Sequence, residues 1–456
     1  MIQKLKKGLQ RRSRVTLYIK KRCKNAIIIS MELKRKLGFW ETIREITHTK
    51  QYGTSIIVTF AQIYGNLTPE IVRQATYLLF QRHPLLQACI EKTDHCYFFV
   101  RDCSFTTIPF NVIKRSNDQQ WKNTIENELC TPLITNKFLW RIIFIFNEDE
   151  PQSHHEVIFS FHHAIGDGFS IVYFINDFIK YCDALIAAKK VNLIQLPFLK
   201  NVEAMLLNTL PWREYLHSLH QDIASETEPW HYAEQEALHR RKTRIFCDYL
   251  TSHELTRLHQ YCKRKGLTVN SVLSGALLNL GFSNKIHNDH FSFLTLVDLR
   301  PYCKPALNRE HFGCYVTSLK TAHQLKDMPE IAYNYQIQLH KMLPRCVLLP
   351  RDFTLNDLEN FSISNPTGKK LPNDQFSIDF GITNLGYLEL PEASSSLKLT
   401  AFYFCTSRQA GDIAILANIV SLQEEMFICL EYTEPLLDKI EAEKIANSFL
   451  KNIKNF

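Results

Sequence analysis

The sequence lacks the features that mark membrane-spanning, fibrous and linker-rich proteins. No run of about 18 consecutive apolar residues, the length of a transmembrane helix, occurs in its 456 residues. Only 14 glycines and 17 prolines are present, and no long Gly/Ser-rich or Pro-rich stretch marks a flexible linker. The hydrophobic share of 45% and the charged share of 22% are typical of a soluble globular protein. The length suffices for two or three domains, which we expect to pack against each other.

Several chemical signatures are also missing. The 13 cysteines are scattered singly without a C-x-x-C pair, a usage typical of a reducing compartment, so we predict a cytoplasmic protein. The sequence contains no G-x-S-x-G elbow, P-loop, G-x-G-x-x-G turn or H-E-x-x-H helix. It also contains no nucleic-acid-binding motif. We therefore predict no metal site and no nucleic-acid partner.

Excess positive charge is confined to one end of the chain. The formal net charge is +8, but residues 1–30 hold ten Lys and Arg and no acid. Without them the rest of the chain has 44 basic and 46 acidic residues, a net charge of −2. A near-neutral body creates no field that would attract phosphates.

The basic segment has three interpretations. Apolar residues interleave with its charges, as in an arm that lies on a membrane surface. A targeting sequence is a second interpretation, although the apolar run 26–29 is too short for a signal-peptide core. The third, which we favour, is a disordered tail or an upstream extension before Met31.

Helical and strand periodicities alternate after residue 31. Thr68 and Pro69 are suited to the N-cap and first position of a helix whose apolar residues continue to about residue 82. The final helix is expected to turn Ile440, Ile445 and Phe449 inward. The other patterns predict strands at 51–64, 140–146, 156–161, 291–297, 413–420 and 426–432, and helices at 169–188, 252–265, 268–280 and 437–453. This alternation predicts an α/β (α+β) protein with one layered unit per half: 31–190, a connection at 191–242, and 243–456.

One strand end carries the most informative motif, Phe161-His162-His163-Ala164-Ile165-Gly166-Asp167-Gly168. A strand that ends in a Gly-containing turn exposes the side chains at its tip. A histidine there can act as a general base, because its unperturbed pKa is close to neutral. A buried structural histidine or a metal ligand is the alternative, but adjacent strand residues point to opposite faces, which suits a two-His metal site poorly.

Asp167 has two interpretations from the residues alone. It can orient the imidazole of His163, four residues earlier. It can instead cap the following helix or hold the loop by pairing with a distant arginine. The structural role is the commoner use of Asp at such a position, and we favour it.

The motif resembles the HHxxxDG signature of the condensation-domain superfamily, which includes nonribosomal-peptide condensation domains, polyketide-associated acyltransferases and alcohol acetyltransferases. Chloramphenicol acetyltransferase is a more distant relative. Further segments resemble family motifs in the right order and extend the resemblance over about residues 39–450, although the proline of the "PLWR" motif is missing before Leu139. These segments are 81–86 ("RHPxL"), 139–141 ("PLWR"), 266–270 ("G-x-T-x-N"), 297–301 ("DLRP") and 382–386 ("NxG").

The resemblance implies a role for each matching position. His163 matches the general base, and His162 matches a residue that is mainly structural. Asp167 matches an aspartate that pairs with an arginine, for which Arg300 is the candidate, and Gly168 matches the turn glycine. Two further positions match a segment near the active-site channel, with a substrate or oxyanion contact as the implied role: Asn384 and Gly386.

The resemblance also implies a fold and an activity. The fold is a V-shaped pseudo-dimer of two chloramphenicol-acetyltransferase-like subdomains around a central substrate channel. The activity is transfer of an acyl group, other than an amino-acyl group, from a CoA or carrier-protein thioester to an acceptor hydroxyl. Amide-forming condensation on carrier-bound substrates is one alternative, and a non-catalytic or epimerase-like module is another.

The implied partners follow from this chemistry. The co-substrate is an acyl-CoA or acyl-carrier-protein thioester, with no tightly bound cofactor. The acceptor is a small-molecule or lipid alcohol, and any carrier protein would be supplied in trans, because the sequence has no L-G-G-x-S carrier signature. We expect a cytoplasmic monomer, with peripheral membrane association through the basic N-terminus as a further option.

Overall fold

The computed structural model describes residues 34–150, 152–221, 230–283, 290–324, 326–361, 374–389 and 396–456. The predicted basic extension, residues 1–30, lies outside these residues. Within the described ranges, no helix is both long and apolar enough to cross a membrane.

Strands and helices alternate through the first half of the chain. In order they are β1 (Lys34–Lys36), α1 (Phe39–Lys50), β2 (Ile56–Asn66), α2 (Pro69–Arg82), β3 (Cys89–Lys92), β4 (Tyr97–Val100), β5 (Phe110–Lys114), α3 (Gln120–Leu129), β6 (Trp140–Phe146), β7 (Gln152–His162), α4 (Gly168–Ile186), β8 (Thr209–Pro211) and α5 (Trp212–Gln221).

The second half continues in the same way. Its elements are β9 (Lys242–Leu250), α6 (Ser252–Lys265), α7 (Val269–Ser283), β10 (His290–Asp298), β11 (Val316–Gln324), α8 (Met328–Cys346), β12 (Leu349–Arg351), α9 (Leu355–Asn360), β13 (Ile378–Leu388), β14 (Lys398–Thr406), β15 (Ile413–Leu422), β16 (Glu425–Glu434) and α10 (Lys439–Lys454).

Two large mixed sheets organise these elements. The first has the order β14-β2-β7-β6-β5, and the second has the order β11-β10-β13-β15-β16-β9. Each has its own main core of buried apolar side chains, with α2 and α4 packed together beside the first sheet and α7 and α8 beside the second. This mixed α/β organisation agrees with the predicted class.

One strand of the second half belongs to the first sheet. β14 pairs antiparallel with β2, with Phe404 opposite Thr59 and Thr406 opposite Ile57. The two halves of the sequence are therefore interleaved, and a single cut in the chain does not separate the sheets. The subdomain boundaries at 190 and 243 stay a prediction.

Most of the predicted elements are present. The strand at 140–146 and the helix at 252–265 have the predicted bounds. The Thr68 side chain caps α2 by accepting a hydrogen bond from Ile71 N at 3.3 Å, as its position before Pro69 predicts.

Two predictions were wrong. Residues 51–54 are not strand, because the unpredicted helix α1 ends at Lys50 and a turn precedes β2 at Ile56. Ile440 is 76% exposed, whereas Ile445 and Phe449 are buried. Ile440 lies five positions before Ile445 on the helix. The Ile440 side chain is therefore rotated about 140° away from the buried face.

Candidate active site

His163 lies at the end of a central strand in the first sheet. It follows β7, which is hydrogen-bonded to β2 on one side and β6 on the other. The His163 backbone N–H donates to Ser55 O at 2.8 Å, and α4 begins five residues later at Gly168. The strand and the helix are both anchored in the core, so the short turn between them fixes the position of the imidazole.

The hydrogen bond of the His163 ring defines its tautomer. Its Nδ1 lies 2.9 Å from Gly166 O. A carbonyl oxygen only accepts, so Nδ1 must carry the proton in this bond. The lone pair of the neutral imidazole is therefore on Nε2, the nitrogen that can accept a proton from a substrate.

The surroundings keep this imidazole neutral. Burial, followed by the positive charges of Arg44 and Arg408, holds the pKa of His163 well below 6.5. Both effects disfavour the imidazolium form, because it would be desolvated and repelled. His163 is therefore a proton acceptor, not a donor, at neutral pH.

His162 points into the interior and is fully buried. Its Nδ1 accepts a hydrogen bond from Ala164 N at 3.2 Å, so its proton is on Nε2, which lies 3.2 Å from Glu45 Oε2. The ring also makes an edge contact with His48, with centroids 4.7 Å apart. These contacts are structural, in line with the supporting role that the sequence predicts for His162.

Asp167 and Arg300 form a buried ion pair, as the sequence predicts. Arg300 Nη1 and Nη2 donate to the two carboxylate oxygens of Asp167 at 3.0 and 2.9 Å. The same carboxylate accepts from Ser170 N at 2.9 Å, which caps α4, and from Tyr315 N at 2.8 Å. Asp167 thus joins the start of α4 to the segment before β11 in the second half.

The imidazole of His163 has no part in this network. In the described part of the chain, its ring bonds to Gly166 and not to Asp167. The interpretation of Asp167 as the partner that orients the imidazole therefore has no support in the geometry, while its helix-capping and arginine-pairing interpretations are both realised.

Gly168 is required by a close approach between the halves. A Cβ at this position would lie 2.5 Å from Leu385 Cδ2 on β13, which is shorter than any normal carbon–carbon contact. The absence of a side chain lets the first turn of α4 lie directly against the second sheet.

Asn384 lines the cavity, and Gly386 holds the Asn384 side chain in place. Asn384 lies on β13 and lines the cavity beside His163, whereas Gly386 is not among the lining residues. The Gly386 amide, at a left-handed φ of +67°, donates to Asn384 Oδ1 at 2.9 Å. With Oδ1 engaged as an acceptor, the Asn384 side chain has its Nδ2 donors left to offer.

His163 lines a solvent-open cavity, whose empty space of about 910 Å³ includes part of the open solvent. Its wall is drawn from both sheets and is mostly apolar, with a few charged groups. The apolar part includes Trp40, Ile57, Leu294, Leu296, Val316, Leu385 and Phe404; the charged part comprises Arg44, Asp167, Asp298, Arg408 and Asp412.

Sequence reasoning missed the two arginines of this wall. Arg44 comes from α1, which was not predicted, and Arg408 follows the crossing strand β14. Neither belongs to a motif. The only local signal was Arg44 within an apolar helix face that holds Trp40 and Ile43.

The described residues do not present a metal centre, since they contain no group of three or more His, Cys, Asp or Glu side chains arranged to hold an ion. The polar groups at the cavity instead suit an organic ligand held by hydrogen bonds and charge.

The sequence matches a known protein family over most of its length. A model of the condensation domain matches residues 39–456. This chain belongs to the condensation-domain family. The match includes His163, Asp167, Arg300 and Asn384, and it confirms the resemblance that the sequence motifs indicated. No curated protein sequence matches this condensation-domain protein.

Solved structures show the same fold at low identity. The first condensation domain of the CDA synthetase is 12% identical with a TM-score of 0.71. The match covers 93% of this chain and 96% of the chain of that domain. Trichothecene 15-O-acetyltransferase TRI3 from Fusarium sporotrichioides is 13% identical with a TM-score of 0.69, covering 92% and 95%. The epimerization domain of tyrocidine synthetase B is 13% identical with a TM-score of 0.66, covering 93% and 97%.

These likenesses identify the fold of this condensation-domain protein. It is the pseudo-dimer of two chloramphenicol-acetyltransferase-like halves that the resemblance implied. The chain thereby shares its fold with a peptide-synthetase condensation domain and with an acetyltransferase.

Proposed function

We propose that this protein transfers an acyl group from a CoA or carrier-protein thioester to an acceptor hydroxyl, with His163 as general base. The observation that supports this most is the tautomer of His163. Its Nδ1 is bound to Gly166 O, and its neutral Nε2 belongs to a cavity lined by both sheets. A fixed, neutral imidazole that lines a cavity is suited to deprotonating a bound acceptor.

In the proposed reaction the acceptor hydroxyl donates a hydrogen bond to His163 Nε2. Its oxygen attacks the thioester carbonyl as the proton passes to Nε2, forming a C–O bond and a tetrahedral oxyanion. Collapse of this intermediate breaks the C–S bond. The imidazolium then returns its proton to the departing thiolate, a return that the neighbouring Arg44 and Arg408 favour by destabilising the charged imidazole.

The oxyanion needs a donor on the cavity wall. Asn384 is the residue we assign to it, because Gly386 N holds its Oδ1 and leaves Nδ2 to donate. A fixed donor of this kind typically contributes about 100- to 1,000-fold to the rate of acyl transfer. The scheme consumes only the thioester and the acceptor, so no tightly bound cofactor takes part in it.

The test is a direct assay of thiol release and product mass. Purified protein is incubated with acyl-CoAs or an acyl-carrier protein, each with alcohol and with amine acceptors. We expect ester formation with alcohols. His163→Ala should lower the rate by about 100- to 10,000-fold, the usual contribution of general-base catalysis.

The matched control is His154→Ala, which removes a histidine near the other end of the same strand β7. This variant should keep wild-type rates. Amide products in place of esters would assign the protein to the condensation reaction, and an unchanged rate in His163→Ala would remove His163 from the mechanism. No turnover with any acceptor would favour a non-catalytic module.

A further inference from the structure

Arg44 is a half-buried cation that forms no ion pair within the described part of the chain. It makes no hydrogen bond or ion pair with a carboxylate in the described part of the chain, and its Nε is buried without any partner. Arg300 Nε also has no partner among the described residues, but both other arginines of the site form ion pairs: Arg300 with Asp167, and Arg408 with Glu431 at 2.8 Å. An unpaired guanidinium in a desolvated place is costly, and proteins retain one where a ligand completes it.

Two neighbours of Arg44, Trp40 and Cys314, are neutral, whereas the charges of Asp412 and Arg408 act on it without forming an ion pair with it. The Arg44 guanidinium lies 5.7 Å from the ring centroid of Trp40, one helical turn earlier on α1. Burial raises the pKa of the nearby Cys314 thiol, so this group remains uncharged and does not balance the arginine. Trp40 Nε1 is also buried without an acceptor. Residues around Arg44 thus orient its charge without neutralising it.

The remaining charges on the cavity wall are held in ion pairs, in which each arginine faces two carboxylates. Asp298 lies 3.0 Å from Arg300, which also binds Asp167. Arg408 lies 3.5 Å from Asp412 in addition to its bond with Glu431. In the described part of this wall, Arg44 is therefore the charged group outside any ion pair, and the carboxylate of a ligand can pair with it.

We propose that the cavity binds a monocarboxylate whose carboxylate pairs with Arg44 and whose apolar remainder packs on the wall formed by Ile57, Leu294 and Leu296. A planar carboxylate fits the fork of a guanidinium in two parallel hydrogen bonds. A doubly charged phosphate fits less well, because the carboxylates of Asp298 and Asp412 line the same space. Resting on the proposed function, this identifies the acceptor as a hydroxy acid.

Direct binding tests the site without requiring turnover. Octanoate, octan-1-ol and octyl phosphate are titrated calorimetrically into the full-length protein at pH 8. We expect octanoate to bind at least about tenfold more tightly than octan-1-ol and octyl phosphate. Arg44→Met should abolish this preference while leaving the affinity for octan-1-ol within about twofold, and Arg44→Lys should retain part of it.

The matched control is Arg240→Met, because the Arg240 side chain is 67% exposed. Thermal unfolding checks that Arg44→Met folds, and we expect its midpoint to equal or exceed that of wild type, since an unpaired, half-buried charge is lost. Equal binding of octanoate and octan-1-ol, or an unchanged preference in Arg44→Met, would overturn the proposal. Tighter binding of octyl phosphate would overturn the assignment to a monocarboxylate.

The acyl-transfer assay separates this inference from the proposed function. Wild type should show a lower KM for 8-hydroxyoctanoate than for octane-1,8-diol, and Arg44→Met should remove the difference. Octanoate binding without any transfer would leave the anion site standing and reject the acyltransferase. Transfer to both acceptors with equal KM would support the acyltransferase and reject the anion site.

Discussion

At the residue scale, the contacts of the Asp167 carboxylate stabilise the fold and do not involve the imidazole of His163. It accepts hydrogen bonds from Arg300, Ser170 N and Tyr315 N, and these groups come from both halves of the chain. Substituting it leaves the Arg300 guanidinium buried without its main partner. The cost of breaking such a pair is far greater than that of an exposed one.

We therefore expect Asp167→Asn to lower the free energy of unfolding by about 3–5 kcal/mol, measured by urea denaturation. The matched control is Asp118→Asn, because Asp118 pairs with Arg115 while its side chain is 90% exposed. That variant should lose less than about 1 kcal/mol. A stable Asp167→Asn protein that has lost acyl transfer would instead assign Asp167 a direct part in catalysis.

A second residue-scale prediction concerns Glu203, a distant residue whose side chain contacts the start of α1. Its Oε1 accepts from Phe39 N at 2.6 Å, and burial together with Glu41 raises the pKa of Glu203 to about 7. The unfolded chain loses this proton near pH 4.5, so the folded state binds it more tightly between the two values. The contribution of Glu203 to the free energy of unfolding is therefore greatest below about pH 4.5. It falls by on the order of 3 kcal/mol as the pH rises to 7.

Glu203→Gln imitates the protonated form and should flatten this part of the stability–pH curve. Urea unfolding at pH 5, 6, 7 and 8 measures it, with the exposed Glu214→Gln as control. We expect the stability of Glu203→Gln relative to wild type to increase from pH 5 to pH 8. A difference that stays constant across this range would contradict the raised pKa.

At the element scale, the contact between α4 and β13 positions the His163 turn against the second sheet. Gly168→Ala would place a methyl group 2.5 Å from Leu385 Cδ2. We expect a loss of about 1–3 kcal/mol in unfolding free energy from this overpacking, together with reduced transfer activity. Denaturant unfolding and the ester assay measure the two effects.

The double variant Gly168→Ala/Leu385→Ala tests the cause. Leu385→Ala alone should destabilise by leaving a cavity, but it also provides room for the methyl group that Gly168→Ala adds. The two changes should therefore be less harmful together than the sum of the single variants, with a coupling of about 0.5–3 kcal/mol. Additive losses would show that the damage comes from the α4 backbone and not from this contact.

Elements with a strong local pattern could be predicted from sequence, and those defined by distant partners could not. The strand at Trp140–Phe146 is a continuous apolar run, and α6 has a capping box formed by Thr251 and Glu254. α1 is rich in the β-branched residues threonine and isoleucine, which have a low helix propensity. β14 looks like any other strand, and its place beside β2 depends on a partner more than 300 residues away, which no local pattern encodes.

At the scale of the whole molecule, the candidate site is assembled from separated parts of the chain. His163 and Asp167 share one motif, and the sequence predicted the pairing of Asp167 with Arg300 through the family resemblance. Arg44 and Arg408 belong to no motif and meet His163 only because α1 and the end of β14 converge on one cavity. The sequence therefore indicated His163 as a candidate base but did not indicate the two arginines that, after burial, lower its pKa.

The combined field of the two halves leads to a prediction about the pH dependence of transfer. Burial and the charges of Arg44 and Arg408 lower the pKa of His163, and the proposed base must be unprotonated. With a neutral alcohol acceptor, kcat/KM should stay constant from pH 8 to pH 6 and fall only in more acid solution. Arg44→Met removes one repelling charge and should move the acid limb to higher pH, while Arg240→Met should not. A wild-type limb at pH 6.5 or above would contradict the lowered pKa, and identical limbs in wild type and Arg44→Met would show that burial alone lowers it.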